Sequence, residues 1–448
     1  MLSLVLSFTS LRRQSVVPFL DMRHTRGAKA ILRSARHFLV GEYRVWSHGR
    51  GRLVAEISKS IMVLPVSMLC SAALWIFRVE TVICIARTGR LIASDFLHDF
   101  EPLKRAHRVG EFGRARVVFV SDRIPLGDRL WNEIRSGSGI IFPRFPRLYR
   151  CMMPNGFVKR IYLTDGESSD ERRRRFSLPA GVPPSQGHAL PAPAMRSGLV
   201  LAPGERFALL NCQRPELFNS LRRASGIEPD REYKDVGWEN FSYQFPNLDN
   251  YADARAKLAQ ENYPVVDLWD VVGNPVTLFS AGASGGVTEK SERDELQTWL
   301  FANCEIFVSG TSGAWWIAWS LGKPTLIGDS MWLNFDMPMT MFVPILLWDK
   351  HEKRLLTLTE MWSGRGASIR RAIEDSRGRL EAVRNTPDEL AAAIRELRAL
   401  TRKELMVDEE LQSRVLRIAK NAVGKPDSQK TLALVSQSFL SGHMEILA

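Results

Sequence analysis

The residues best suited to chemistry lie in the segment FVSGTSGAWW, residues 307–316. An apolar, strand-like run leads into a loop of small residues, and an apolar helical run follows the loop. Gly310 and Gly313 allow the backbone to turn tightly and to approach a ligand. The N–H groups at the start of the following helix favour an anion. Ser309, Thr311 and Ser312 are expected to add hydroxyl donors to this loop. The segment predicts an anion-binding loop, and the alternative is a tight turn without a ligand.

A second interpretation of the same loop is a nucleophile. The residues Gly-Thr-Ser-Gly-Ala at 310–314 nearly fit the G-x-S-x-G turn of α/β hydrolases, with Ser312 in the nucleophile position. Asp336, Asp349 and His351 follow in an order that a catalytic triad permits. However, no HGGG-like oxyanion segment precedes the loop, and a long N-terminal part has no role in such an enzyme. A serine hydrolase therefore remains the lesser alternative.

The loop must be positioned by a larger series of alternating strands and helices. Predicted strands cover 206–212, 263–270, 305–310 and 323–329, and predicted helices cover 250–262 and 291–304. Strands that alternate with helices of this length predict a parallel, doubly wound sheet. The sequence Thr386-Pro387-Asp388-Glu389 predicts a helix start with a capping box, and helices are expected to about residue 420 and again near 429–440. Residues 206–448 are thus a C-terminal α/β lobe with terminal helices.

A smaller α/β lobe is predicted over residues 79–163. The runs VETVICIA (79–86) and RARVVFVSD (114–122) are short and β-branched, as buried parallel strands are. The run GIIFPRFPRLYRCM that begins at Gly139 suggests a strand and a turn. Residues 164–205 are rich in Pro, Gly and Ser and indicate a linker or a long loop.

The first 78 residues suggest contact with a membrane surface. Residues 1–50 carry nine Lys or Arg against two Asp or Glu and predict a basic, partly disordered segment. Within 51–78, the run IMVLPVSMLCSAALWIF (61–77) is apolar, is preceded by Arg52 and Lys59, and is followed by Arg78. A core helix, a monotopic or re-entrant anchor on anionic lipid, and a full span are all compatible with it. We expect a cytoplasmic protein that is peripheral on the inner face of the membrane.

Charge and cysteine content exclude several classes of protein. The net charge is +12 and the pI is about 9.7, which favours anionic partners. No aromatic-plus-arginine recognition motif accompanies the charge, so we expect no nucleic acid partner. The five cysteines are scattered without a CxxC pair, which predicts neither a zinc site nor a disulfide framework.

Several segments in order resemble a family of bacterial glycosyltransferases from polysaccharide gene clusters. LFANCEIFVSGTSG (300–313) is similar to the family's "ANC-x-FF-I-x-[ST]-x-SG" stretch. RTGRLIASDFLHDF (87–100) is similar to its "RIGH-L" segment, and NLDNYADARAKLAQENYPVV (247–266) to its "N-x-D-I-x-x-Y" helix and "G-Y-x-V" strand. LLTLTEM (355–361) and SQSFLSGH (436–443) resemble two late motifs.

The resemblance implies two Rossmann-like lobes of the GT-B type, with the nucleotide-sugar donor in the C-terminal lobe. The glycan or lipid-linked acceptor then faces the N-terminal lobe, and no metal or other cofactor is required. Residues 310–313 contact the donor by position, while Arg87 and Gly89 line the cleft between the lobes. Arg90, in that same cleft, replaces the family's histidine.

Four further residues receive expected roles in glycosyl transfer. Arg214, with the 310–313 loop, is expected to stabilise the diphosphate leaving group. Asp267 or Asp294 is expected to act as the base or to hold the sugar. Glu360 is expected to hold donor hydroxyls or to cap a helix. Asp267 falls where the family has a different sequence, so a degenerate homologue that binds a nucleotide-sugar without transfer is the main alternative.

Overall fold

A computed structural model describes about three fifths of the chain. The described residues are 63, 65–86, 93–121, 124, 126–152, 155–163, 183–184, 189–191, 201, 205–212, 246–272, 287–330, 337–362, 373, 376–423 and 433–447. They fall into two compact units. The first comprises the described parts of 1–85, 114–120 and 142–162, and the second the described parts of 86–113, 121–141 and 163–448.

The described elements alternate between strands and helices along most of the chain. The helices are α1 (residues 65–76), α2 (Ala93–Arg108), α3 (Asp128–Arg135), α4 (Pro146–Cys151), α5 (Leu248–Gln260), α6 (Leu268–Val272), α7 (Val287–Asn303), α8 (Trp315–Ser320), α9 (Leu358–Trp362), α10 (Pro387–Thr401), α11 (Glu409–Val423) and α12 (Gln437–Gly442). The strands are β1 (Thr81–Ile85), β2 (Arg116–Val120), β3 (Val158–Tyr162), β4 (Ala208–Asn211), β5 (Val265–Asp267), β6 (Ile306–Ser309), β7 (Thr325–Ser330), β8 (Thr340–Pro344), β9 (Leu346–Asp349), β10 (Arg354–Leu355), β11 (Leu380–Val383) and β12 (Leu434–Val435).

The first unit is built on a three-stranded parallel sheet with the order β2-β1-β3. Strands β1 and β2 lie in the β-branched runs predicted at 79–86 and 114–122, whereas β3 was not predicted, and β1 is buried along its whole length. The core beneath α1 and α4 is formed by Ile83, Ile85, Val118, Val120, Met152 and Val158. The expected strand and turn after Gly139 are wrong in part, because Pro146 occupies the first turn of α4 and favours a helix there.

The second unit contains a six-stranded sheet that is parallel throughout, in the order β12-β8-β7-β6-β4-β5. The alternate residues of β4 and β6 are all buried, so both faces of the sheet are covered. On one face, Tyr251 and Leu258 of α5 join the core that includes α10 and α11. On the other, Phe301 of α7 packs its ring 5.4 Å from that of Phe307 in β6. The predicted α/β class with parallel sheets is confirmed.

Two features of this unit depart from the expected organisation. Helices α2 and α3, which lie in the segment predicted as the N-terminal lobe, belong to the second unit, where α2 packs against α8 and α3 against α7. A small antiparallel sheet with the order β10-β9-β11 was not predicted. Its strands are two to four residues long, too short to leave an alternating pattern in the sequence.

The C-terminal helices follow the sequence signals closely. Thr386 accepts the N–H of Glu389, and the Glu389 carboxylate accepts the N–H of Thr386, which completes the predicted capping box of α10. The helix expected near 429–440 begins only at Gln437, after the short strand β12. Residues 424–432 lie outside the described part of the chain.

Residues 65–76 of the apolar N-terminal run form helix α1. No helix in the described part of the chain is long and apolar enough to cross a membrane. The basic segment 1–50 lies outside the described residues.

Candidate functional site

The strand order of the large sheet reverses at β4. After β4 the chain adds β5 on one side, and then β6, β7 and β8 on the other. In open parallel sheets, ligands bind beyond the carboxyl ends of the strands at such a reversal. Asn211 ends β4 and Ser309 ends β6, and the two residues are direct partners across the sheet. The loop singled out from the sequence therefore begins at the position where this fold binds ligands.

The loop hydroxyls have a defined direction. Ser309 Oγ donates to the carbonyl oxygen of Asn211 at 2.8 Å and lies 2.7 Å from Ser312 Oγ. A carbonyl can only accept, so the single hydroxyl hydrogen of Ser309 is used there and Ser312 must donate to Ser309. Thr311 Oγ1 likewise donates to the carbonyl oxygen of Asp329 at 3.1 Å. All three hydroxyl groups thus donate their hydrogens to other groups of the protein, and toward a ligand they can only accept. The sequence had predicted that they would donate.

Gly310 is required by the close packing of the loop. A Cβ at this position would lie 3.0 Å from the Cβ and Cγ atoms of Pro246, closer than ordinary carbon contacts. The carbonyl of Gly310 accepts the N–H of Ser312 at 2.7 Å, which closes a tight turn. Gly313, by contrast, is exposed and open to a ligand.

The helix that leaves the loop is short. Helix α8 has six residues, all of them buried. The N–H groups of Trp316 and Ile317 already donate to the carbonyls of Gly313 and Ala314. The expected anion site at a helix start is therefore weaker than the sequence suggested, because a short helix with partly satisfied N–H groups offers little charge.

The loop before α10 is joined to the binding loop through the end of β7. The N–H of Asp329 donates to Asn385 Oδ1 at 2.6 Å, and the N–H of Asn385 donates to Asp329 Oδ1 at 2.8 Å. Asn385 Nδ2 also donates to the carbonyl of Pro344 at 3.0 Å. Asp329 has φ 46°, a left-handed conformation that is uncommon outside glycine. These bonds hold the end of β7 and the loop before α10 in one geometry.

The pKa values of three titratable groups in this cluster are shifted from their usual values. Burial raises the pKa of Asp329 above its usual value, although the Asn385 N–H and the Arg384 guanidinium act in the opposite direction. Burial, and then the Asp329 carboxylate, raise the pKa of the Tyr251 phenol well above its usual value. Burial lowers the pKa of Arg384. Groups perturbed in this way at a sheet edge are typical of functional sites.

Three buried polar atoms of the cluster have no hydrogen-bond partner among the described residues. They are Asn211 Oδ1, Asp329 Oδ2 and Tyr251 Oη. Asn211 Oδ1 is a pure acceptor, and Asp329 Oδ2 is an acceptor when the carboxyl group is ionised. These three atoms are themselves buried, so the acceptors that a ligand rich in hydroxyl groups can reach at this edge are those of the loop, of which Thr311 is half-buried.

Most residues of this cluster were not predicted from the sequence as site residues. Asp329 was visible as the last residue of the predicted strand KPTLIGD, and its place at a strand end is the signal that could have found it. Arg384 and Asn385 carry no local signal, because they reach the site through contacts with residues more than forty positions away.

Asp267 lies at the end of β5, which is shorter than the predicted strand 263–270. Its Oδ1 accepts the N–H of Trp269 at 2.8 Å and so begins helix α6, which occupies the rest of the predicted strand. Trp269 Nε1 in turn donates to the carbonyl of Cys212 at 2.9 Å. Asp267 is half-buried on the same sheet edge as Asn211, and its role in transfer stays a prediction.

Asp294 lies in the middle of α7 and contacts the start of α3. Its Oδ2 accepts the N–H of Arg129 at 2.9 Å, and a Cβ on Gly127 would overlap the carboxylate at 1.9 Å from Oδ1. Gly127 itself offers no side-chain cap to α3. Burial raises the pKa of Asp294, and the Arg129 N–H opposes that change. These contacts make Asp294 a helix cap supplied by a neighbouring helix.

Glu360 caps α9. Its carboxylate accepts the N–H of Thr357 at 2.8 Å and receives two bonds from the Arg354 guanidinium at 2.6 and 2.8 Å. The Arg354 bond is the main cause that lowers the pKa of Glu360 to about 2. Of its two expected roles, the geometry favours the cap.

The remaining predicted residues divide between those outside the described part and those in the hydrolase alternative. Arg87, Gly89, Arg90, Arg214 and Asp336 lie outside the described residues.

The hydrolase interpretation also needs a base for Ser312. In the described part of the chain, the Ser312 hydroxyl bonds only to Ser309. Asp349 accepts the backbone N–H of His351 and binds Arg379 instead of the His351 ring. The geometry supplies no catalytic triad among the described residues.

No group of three or more His, Cys, Asp or Glu side chains within the described ranges is arranged to hold a metal ion. The five cysteines are free thiols, and four of them are buried.

Comparison with known proteins gives weak likeness to two solved structures. No protein-family model matches the chain, and no curated protein matches it. The bacterial iron-containing dodecameric glycosyltransferase TibC from enterotoxigenic E. coli H10407 is similar at 14% identity and a TM-score of 0.33. The dodecameric iron-containing heptosyltransferase TibC in complex with ADP-D-β-D-heptose is similar at 12% identity and the same TM-score. In both, the likeness covers 58% of this chain and 62% of the TibC chain. Likeness at this level assigns neither a family nor an activity.

Proposed function

We propose that this protein is a glycosyltransferase that binds a nucleotide-sugar at the carboxyl edge of its six-stranded sheet. The observation that carries the proposal is the loop at the strand-order reversal, where Ser309 joins Asn211 and the hydroxyls of Thr311 and Ser312 present acceptors. A ribose and a sugar supply many hydroxyl donors, so they complement such an edge. The resemblance of 300–313 to a glycosyltransferase signature supports the same ligand.

The donor diphosphate needs groups of the opposite kind. Backbone N–H groups of the 310–313 loop and an arginine suit it, since both stabilise negative charge as the nucleotide leaves. Arg214 was predicted for this role, and Arg384 is a second candidate because it lies beside Asp329 at the same edge. With charge supplied by the protein, we propose that transfer needs no metal.

We propose that the acceptor is a polysaccharide, a glycolipid or a related glycan that faces the N-terminal lobe, near Arg87, Gly89 and Arg90, as the resemblance implies. Asp267 is the better candidate for the base or for a sugar contact, because it lies at the end of β5 on the same sheet edge as Asn211, whereas Asp294 lies in the middle of α7. A cytoplasmic location agrees with the free cysteines.

A thermal-shift screen against UDP, GDP, CDP, CMP, ADP and dTDP tests the donor site. A nucleotide at a hundred times its dissociation constant should stabilise the wild type by about 2.7 kcal/mol. Ser312→Ala and Gly313→Asp should lose this stabilisation, because they remove an acceptor and add a negative charge. Gly442→Asp is the matched control, since the position is exposed and open. EDTA should leave the shift unchanged.

The screen also separates the alternatives. Stabilisation by a nucleotide without release of that nucleotide from any nucleotide-sugar would indicate a degenerate, binding-only homologue. No stabilisation of a folded sample by any nucleotide would contradict the proposal, and covalent labelling of Ser312 by a serine-directed probe would then support the hydrolase.

A further inference from the structure

Helix α1 of the first unit has its polar side turned toward the protein. Ser67 and Ser71 are buried. Ser67 Oγ donates to the carbonyl of Leu148 at 3.0 Å, and Ser71 Oγ donates to the carbonyl of Ser67 at 2.8 Å. Asn155 Nδ2 donates to the carbonyl of Ser71 at 3.1 Å. The Ser67 hydroxyl and the Ser71 carbonyl therefore attach the helix to its own unit.

The opposite side of α1 is apolar and exposed. Leu69 is 72% exposed, Ile76 64% and Phe77 75%. The other large apolar side chains on this side are Val66, Met68 and Trp75. Surface helices of globular proteins show the reverse distribution, with the apolar side inward. A contiguous apolar surface of this kind marks a site of contact with a lipid surface or another protein.

The charge around α1 identifies the partner. Arg78 follows the helix directly and is exposed, and Arg52 and Lys59 precede it in the sequence. Residues 1–50 add nine basic against two acidic side chains, and the whole chain carries +12. An apolar face flanked by basic residues complements an anionic bilayer, where the rings of aromatic residues such as Trp75 also favour the interface.

The length of α1 determines how it meets the bilayer. Its twelve described residues extend about 18 Å, whereas the hydrocarbon core is about 30 Å thick. Over these described residues α1 is too short to span, and it is attached to its own unit along one side, so we expect it to meet the membrane with its exposed side only.

We propose that the exposed face of α1, formed by Val66, Met68, Leu69, Trp75, Ile76 and Phe77, docks the protein on the surface of an anionic phospholipid bilayer. Apolar side chains enter the interface, and Arg78 binds the headgroups. The proposal is independent of the transfer reaction, because it concerns another unit and another ligand.

Co-sedimentation of the full chain with vesicles tests this surface. The wild type should bind vesicles of phosphatidylcholine and phosphatidylglycerol in about equal parts, bind pure phosphatidylcholine weakly, and lose affinity as salt rises. Leu69→Ser combined with Ile76→Ser should lower the partition coefficient by about tenfold or more. Arg78→Asn should lower binding to the anionic vesicles only. Asparagine is chosen because it tolerates the left-handed backbone conformation of this position (φ 53°).

Met406→Ser is the matched control, since Met406 is 83% exposed and lies in the second unit. It should bind as the wild type does. Unchanged thermal unfolding of every variant shows that the effects do not arise from unfolding. Equal vesicle binding by the wild type and the double variant would overturn the proposal. Failure of the wild type to bind anionic vesicles would also overturn it. A double variant whose only change is the loss of a dimer in light scattering would assign the face to a second copy of the chain and would overturn it as well.

Discussion

Asp329 and Asn385 exchange two hydrogen bonds across the carboxyl edge of the large sheet. Each backbone N–H donates to the other residue's side-chain oxygen, at 2.6 and 2.8 Å. The pair joins the end of β7 to the loop before α10, although 56 residues separate them. Thr311 of the binding loop is bonded to the carbonyl of Asp329, so the pair also supports the proposed donor site.

Asn385→Ala should destabilise the protein by about 2–4 kcal/mol, because it leaves the buried N–H of Asp329 and the carbonyl of Pro344 without a partner. Denaturant unfolding measures the change. Asn132→Ala, at an exposed position on α3, is the control and should stay within about 0.5 kcal/mol of the wild type. A similar loss in both variants would contradict the role given to the pair.

Asp329 should make stability fall as pH rises. Burial raises its pKa in the folded state, so the folded chain binds a proton that the unfolded chain has released. The free energy of unfolding should therefore decrease above about pH 4, the usual aspartate value, until the folded pKa is passed. Asp329→Asn should remove this decrease, and asparagine also tolerates φ 46°.

The measurement is the difference between wild-type and variant unfolding free energies across pH. Asp388→Asn is the control, because that carboxylate is exposed in its ion pair with Lys257. If the difference in unfolding free energy between the wild type and Asp329→Asn does not change with pH, or if the wild type becomes relatively more stable as pH rises, the carboxyl group is not held protonated by burial.

Tyr251 and Gly328 should be coupled. A Cβ at Gly328 would lie 2.3 Å from Tyr251 Oη and 2.8 Å from Leu390 Cδ2, so Gly328→Ala should cost about 1–3 kcal/mol. Tyr251→Phe alone should cost little, because its hydroxyl has no partner among the described residues. The double variant should recover at least about 0.5 kcal/mol relative to additivity in a double-mutant cycle. Strict additivity would mean that the hydroxyl is not the obstacle.

Asp294 should prove structural. Asp294→Ala should destabilise by about 0.5–2 kcal/mol through loss of the cap on α3. Asp294→Asn keeps an acceptor oxygen and should retain both stability and release of nucleotide from the nucleotide-sugar. Loss of that release in a variant of unchanged stability would restore the catalytic role that the sequence suggested.

The sequence predicted those parts of the site that depend on local pattern. The strand β6, the loop from Ser309 to Gly313 and the following helix are contiguous, and strand periodicity with small loop residues is a local signal. The capping box of Thr386 and Glu389 is local as well, and it formed as expected. The parallel sheet followed from the alternation of strands and helices.

What the sequence could not provide depends on contacts distant along the chain. The carboxylates of Asp267 and Asp294 looked like catalytic candidates, but whether a carboxylate faces a ligand or a helix start is decided by its neighbours in space. Arg384 and Asn385 were missed for the same reason. The direction of the loop hydroxyls was also hidden, because it is fixed by the carbonyl of Asn211, a residue 98 positions before Ser309.

Hydrogen exchange of the wild type, with and without the nucleotide that gives the largest thermal shift, tests the central claim most directly. The account predicts slower exchange at the amides of residues 310–313 and at 329–330 when the nucleotide is bound, and no such slowing in Gly313→Asp. Slower exchange confined to other segments, with 310–313 unchanged, would place the ligand elsewhere and contradict a donor site at the end of β6.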